Sequence, residues 1–134
     1  MVFLCVYFSG EKIALIGALV NDKNSPLGSW RIASDDNTAV SVLEGMQKYK
    51  GNVLTFEKGA DLTVGKTTFI DELVFNTTDK SGFDAAKKVA ASADVVVMVL
   101  GEHGFQSGEG RSRTNLDLPG VQQELLEEVY KVNP

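Results

Sequence analysis

The chain has 134 residues, 43% hydrophobic and 23% charged, ordinary globular values that exclude a disordered tail and a coiled coil. Its formal net charge of −5 is not offset by any basic cluster, because the lysines are scattered and Arg111 and Arg113 are the only close arginines, so nucleic acid is not an expected partner. One cysteine, Cys5, excludes an internal disulfide and a cysteine zinc cluster, and the single histidine, His103, has no partner in the sequence for a metal or a triad.

The opening "MVFLCVYFSG" is apolar but too short to span a membrane, and it lacks the basic n-region of a signal peptide. Residues 1–11 therefore read as an irregular or edge segment, and no membrane contact is expected. "KIALIG" at residues 12–17 is an unbroken apolar run closed by glycine, the pattern of a strand buried on both faces. After a loop, Ala39, Val42, Leu43 and Met46 repeat at helical spacing, with Asp36 or Asn37 placed to cap them and Gly51 to end them. "NVLTFEKG" at residues 52–59 predicts a second strand. Residues 59–78 carry no clear period.

Ser81 with Asp84 three residues on has the spacing of a capping box, and Phe83, Ala86, Ala90 and Ala93 continue at helical intervals. "DVVVMVLG" at residues 94–101 predicts the most buried strand, flanked on both sides. Pro119 suits a first helical turn, followed by an apolar stripe of Val121, Leu125, Leu126 and Val129, with Asn133 and Pro134 stopping the helix. Strand and helix alternate three times. That order predicts an α/β fold, helices packed around a mostly parallel sheet, with ligands gathering at the carboxyl ends of the strands. Ending directly after a helix, where another strand is due, predicts a truncated sheet with one edge bare, and hence self-association.

Two patterns point elsewhere. "ADLTVGKT" at residues 60–67 satisfies a relaxed phosphate-loop pattern, but its interior has Asp61, Leu62, Thr63 and Val64 where glycines are needed to turn N–H groups inward, so an ordinary surface loop is expected. "NTT" at Asn76 is a glycosylation sequon too common to carry weight. No cofactor or metal is implied.

The stretch after the third strand is different. "GEHGFQSGEGRSRTNLDLPG" sets two glutamates, two arginines and the histidine among glycines with no helical or strand period. Glu102 sits at the strand end, where a structural hydrogen-bonding role is as expected as a catalytic one. Glu109, in "SGEG", lies between glycines that let the backbone project it far from the sheet. A glycosidic bond is cleaved by two carboxyl groups, one protonating the leaving oxygen and one attacking the sugar or activating water. Read from composition alone, Glu109 is equally a solvated loop residue, and His103 a residue that hydrogen-bonds locally or contacts a ligand.

"KIALIGALVNDKNSPLGSW", "YKGNVLTFEKGADLT" and "ADVVVMVLGEHGFQSGEGRSRTNLDLPGVQQELLEEV", in this order, closely resemble the C-terminal domain of glycoside hydrolase family 3, in its bacterial periplasmic β-glucosidase branch, from about Lys12 to the end. The resemblance implies a three-layer α/β sandwich and a retaining β-glucosidase in which a separate (β/α)8 barrel supplies an aspartate nucleophile. The family's segment of S-G-E-x-x-S-R type falls on Ser107, Gly108, Glu109, Ser112 and Arg113, which implies Glu109 as the acid/base. It further implies that Arg113 helps to hold the loop and that Trp30, in "PLGSW", packs at the same sheet edge, more as a domain contact than as a sugar platform. The implied ligand is a β-glucoside or oligosaccharide held together with the barrel, and the implied location of the parent is the periplasm. No segment here resembles the nucleophile motif, and Asp117 is too close to Glu109 in sequence to replace it, so the chain alone is expected to be inactive or nearly so. The alternative is a non-catalytic domain whose loop binds sugar or a protein.

Overall fold

A computed structural model of the chain describes residues 10–31, 35–109 and 111–134; the N-terminal expectation for residues 1–9 lies outside them. Three strands, β1 (Lys12–Ile16), β2 (Val53–Glu57) and β3 (Val95–Met98), form a parallel sheet in the order β2-β1-β3. Helices α1 (Val42–Gln47), α2 (Phe83–Ala91) and α3 (Gln122–Tyr130) connect and cover it. Parallel neighbours need such crossovers, because a hairpin turn cannot join strands that run the same way.

The central strand shows why the sheet is covered on both faces. Successive side chains of a strand point to opposite sides, and every residue from Ile13 to Ile16 is fully buried. Ala14 and Ile16 pack against Phe83, Ala86 and Ala90 of α2 and Leu125 and Val129 of α3. Ile13 and Leu15 face the other way, with Val20, Leu43 and Met46 of α1, and Val97. The result is helix, sheet, helix, the three layers that the sequence implied.

Several local expectations are corrected. β1, not β3, is the most buried strand. β3 is only partly buried; it pairs with β1 alone among the described residues, which leaves there the bare edge expected of a truncated sheet. A run such as "VVVM" reads the same whether the strand is central or at an edge, because composition reports apolar faces and not the backbone edge. α1 is capped by Ser41, whose hydroxyl accepts from Glu44 N at 3.1 Å while the Glu44 carboxylate accepts from Ser41 N at 3.1 Å, so neither Asp36 nor Asn37 caps it and Ala39 lies outside it. Asp36 is instead ion-paired with Arg31. α2 starts after Gly82 with no side-chain cap; Ser81 N donates to Asp79 Oδ1, which removes the box expected with Asp84. Pro119 stands three residues before α3, its carbonyl accepting from the side chain of Gln122.

The decoys also resolve. No helix starts at Lys66, the next one being α2 at Phe83; Thr63 instead bridges to Phe75 in an antiparallel pair. Asn76 is buried, its amide donating to the carbonyls of Asp61 and Asp79, so it anchors this segment from within. No described helix is long and apolar enough to cross a membrane.

Candidate functional site

β1 leads to α1 on one face and β3 leads to α3 on the other, so the loops leaving these neighbouring strands diverge at their carboxyl ends. That is the point in a doubly wound sheet where a crevice opens. Gly17 sets the spacing there: with φ of 131° and Val99 O only 2.3 Å from where a Cβ would stand, the chain turns away from β1 hard against the β3 exit.

The two loops are joined. Asp22 Oδ1 accepts from Asn24 N at 2.7 Å and Ser25 N at 3.0 Å, folding the first loop into a 3-10 turn over Ser25–Leu27. Ser25 Oγ then accepts from Gly104 N at 3.0 Å, in the 3-10 turn Gly104–Gln106 of the second loop. Further out, Gly108 lies so close to Ser29 that a Cβ would meet its hydroxyl at 2.4 Å. Burial pushes the Asp22 carboxyl upward, but hydrogen bonds from Ser25 and the backbone of Asn24 and Ser25, with His103 nearby, outweigh it and leave the pKa lowered.

His103 caps the second turn, Nδ1 accepting from Phe105 N at 3.1 Å, with its ring 5.3 Å from that of Phe105. Burial holds its pKa below the ordinary value, assisted by Arg31 and opposed by Asp22. A histidine disfavoured as a cation in the fold gives stability that is present above its unfolded pKa, near 6.5, and is lost as pH falls through that value toward the folded one. Urea midpoints measured at pH 7.5 and at pH 5.5 are therefore expected to fall with acid, and to fall less in His103→Asn, which keeps an acceptor but cannot titrate. Equal falls in both proteins would contradict this. Asp22 acts in a lower window, so its contribution is lost only as pH drops below the carboxylate range near 3.9.

Glu102, at the β3 end, is ion-paired with Arg113, whose other nitrogen donates to the Asp117 carbonyl and to Asn115 Oδ1. Arg113 thus ties the outgoing strand of the loop to its return. Glu109 stands at the crest, exposed, with no hydrogen bond or ion pair among the described residues. Trp30 is 68% exposed on the neighbouring loop. Beside the crest runs an open groove of about 540 Å³ lined by Phe75, Phe105, Arg111, Arg113, Asn115 and Asp117, among others; Glu109 lies outside it. No described cluster of acids, histidine or cysteine could hold a metal.

Two residues that the sequence did not single out complete the frame. Gln122, buried at the start of α3, accepts from Gly101 N at 2.9 Å and donates to the carbonyls of Gly101 at 2.8 Å and Pro119 at 2.9 Å. One amide therefore closes both ends of the loop at its base. Arg111 reaches across to the segment before α2. A glutamine in a helix's first turn reads as surface, and an arginine in a polar loop reads as solvated, so neither carries a local signal.

The profile of the glycosyl hydrolase family 3 C-terminal domain matches residues 8–134. The chain belongs to glycosyl hydrolase family 3. The match falls on its C-terminal domain and includes the whole Glu109 loop. A periplasmic beta-glucosidase of Salmonella typhimurium is 33% identical over 124 residues, covering 85% of this chain and 16% of that protein. A beta-xylosidase of Formosa agariphila is 30% identical over 127 residues, covering 90% of the chain and again 16% of the relative. The chain thus spans about a sixth of the length of these family 3 relatives. The solved beta-glucosidase of Bifidobacterium adolescentis superposes with a TM-score of 0.65 at 30% identity, covering 92% of the chain and 16% of that structure. An exo-beta-xylosidase in complex with a xylobiose aziridine probe shares the fold, with a TM-score of 0.75 at 21% identity over 98% of the chain and 15% of that structure.

Proposed function

We propose that this family 3 domain carries the acid/base of a retaining β-glycosidase, with Glu109 in that role and a neighbouring (β/α)8 barrel supplying the nucleophile and most of the sugar site. The observation that carries the reading is the placement of Glu109. It stands exposed at the crest of a loop pinned at its base by Gln122 and along its length by Arg113, at the switch point of the sheet. The frame is built, and the exposed Glu109 carboxyl has no hydrogen bond or ion pair among the described residues. Glu102 is committed to Arg113 and is a supporting residue in this account, as is His103 through its cap on Phe105. Trp30 is the contact to the barrel.

A retaining mechanism places two carboxyl groups about 5–5.5 Å apart. In the first step the Glu109 carboxyl gives its proton to the glycosidic oxygen as the barrel aspartate attacks the anomeric carbon; the carbon–oxygen bond breaks and the alcohol leaves. In the second, the Glu109 carboxylate takes a proton from water as that water attacks the anomeric carbon and frees the aspartate. Each step leaves Glu109 in the state that the next one needs.

The test is complementation. Release of nitrophenol from aryl β-glucosides and β-xylosides is measured for the chain, for a separately expressed family 3 barrel, and for both. Turnover only in the mixture supports the proposal. Sugar binding without turnover, unchanged in Glu109→Gln, would place the chain instead among non-catalytic binding domains. Alone, the chain is expected to self-associate, because β3 offers an edge of apolar residues, unpaired among the described residues, beside a groove of about 350 Å³ against α3. Sedimentation showing a monomer with a cooperative melt would contradict that expectation.

A further inference from the structure

We infer that Arg111 is a positioning residue for Glu109, an assignment that rests on the acid/base reading above. Arg111 follows Glu109 by two positions. One guanidinium nitrogen, Nη2, donates to the carbonyl of Phe69 at 2.8 Å and to that of Asp71 at 2.9 Å, across some forty residues of sequence. Its backbone N–H donates to Gly108 O at 3.2 Å, turning the chain back at the crest itself.

The segment it grips is closed on itself. Thr68 Oγ1 donates to Asp71 Oδ2 at 2.7 Å and accepts from Asp71 N at 3.0 Å, so the two carbonyls are presented by a fixed turn. The Phe69 ring stands edge-on to Phe105, centroids 5.9 Å apart, which fastens that turn to the base of the Glu109 loop. The crest is also limited by Gly108 against Ser29. The residues flanking Glu109 are therefore held at two points, by the loop after β1 at Gly108 and by the grip of Arg111. Arg113 differs, since it ties the loop only to its own stem.

Positioning matters here because an acid must meet the leaving oxygen at hydrogen-bond distance, and a displacement of about 1 Å can cost roughly 100-fold in rate. Arginine suits the task through its reach and its planar set of donors; a lysine ammonium in its place is a point charge on a flexible stem.

The test has two arms. In the chain alone, ¹⁵N relaxation of Ser107, Gly108, Glu109 and Ser112 is compared between the parent, Arg111→Ala and Arg111→Lys. Order parameters are expected to fall from the rigid range, about 0.85, to below about 0.6 in Arg111→Ala, with β1 unchanged and Arg111→Lys between. In the mixture with a family 3 barrel, Arg111→Ala is expected to lower kcat for cellobiose about 10- to 100-fold with KM little changed, while a dinitrophenyl β-glucoside, whose phenolate departs without protonation, gives a burst at close to the parental rate followed by slowed turnover, because the displaced Glu109 also serves less well as the base. Unaltered order parameters, or parental kcat on cellobiose while Glu109→Gln abolishes it, would overturn the Arg111 assignment alone. Full cellobiose turnover by Glu109→Gln would overturn the acid/base reading and the Arg111 assignment with it.

Discussion

Replacing Glu109 with glutamine is expected to slow hydrolysis of cellobiose by the reconstituted enzyme by about 100- to 10,000-fold, the usual weight of a general acid. The loss should depend on the leaving group. An alkoxide needs a proton as it departs, whereas a dinitrophenolate is stable without one, so the activated glucoside should still form the covalent intermediate at close to the parental rate. Its breakdown then loses the base, and the intermediate should accumulate, seen as a burst of dinitrophenolate followed by slow turnover. Equal losses on both substrates, with no burst, would argue that the glutamine disturbs the loop and not the proton transfer. The surroundings make a local effect the expectation, because Glu109 is exposed and the frame that fixes the loop is built from Gln122, Arg111 and Arg113.

Leu15→Ala is expected to cost about 2–5 kcal/mol, the range for deleting a buried leucine from a packed core. Leu15 of β1 is fully buried, among Val20, Leu43, Met46 and Val97, so the hole it leaves lies between the sheet and α1. Among the described residues β1 pairs with both other strands, and neither of those pairs with a second. A loss of roughly 3 kcal/mol lowers Tm by roughly 10 °C for a domain of this size. Thermal melts of the chain and the variant check it. A shift of only a degree or two would mean that β1 is not the centre of the core.

The sequence was most legible where burial is greatest. "KIALI" has no polar position after Lys12 on either face, and a strand of that composition has to be covered on both sides, which fixes three layers and parallel pairing. The helices were found from their apolar spacing, but their starts were not. "SVLE" holds the Ser41 and Glu44 box in plain view, yet three polar residues shortly upstream, Asp35, Asp36 and Asn37, are equally good caps by type. Only the path of the loop decides among them. The apparent box at Ser81 failed for the same reason, since Asp79 takes its N–H first.

The site divides differently. Glu109 was reached through the resemblance and not through any period, because one glutamate between glycines has no physical signature of its own. What supports it in space was hidden. Gln122 acts on residues 101 and 119, and Arg111 on residues 69 and 71, and no short-range pattern links such pairs. The partial burial of β3 was hidden as well, since an all-apolar run reads the same whether or not both of its faces are fully covered.

The measurement that bears most directly on Glu109 is rescue by azide. Glu109→Ala, mixed with a family 3 barrel and given a dinitrophenyl β-glucoside, is expected to turn over slowly until azide is added. The anion, needing no base to activate it, should then attack the covalent intermediate, restore the rate and yield β-glucosyl azide, whose configuration is read by NMR. Rate restored with the β product identifies Glu109 as the acid/base of a retaining enzyme. No acceleration, or the α product, would contradict that assignment.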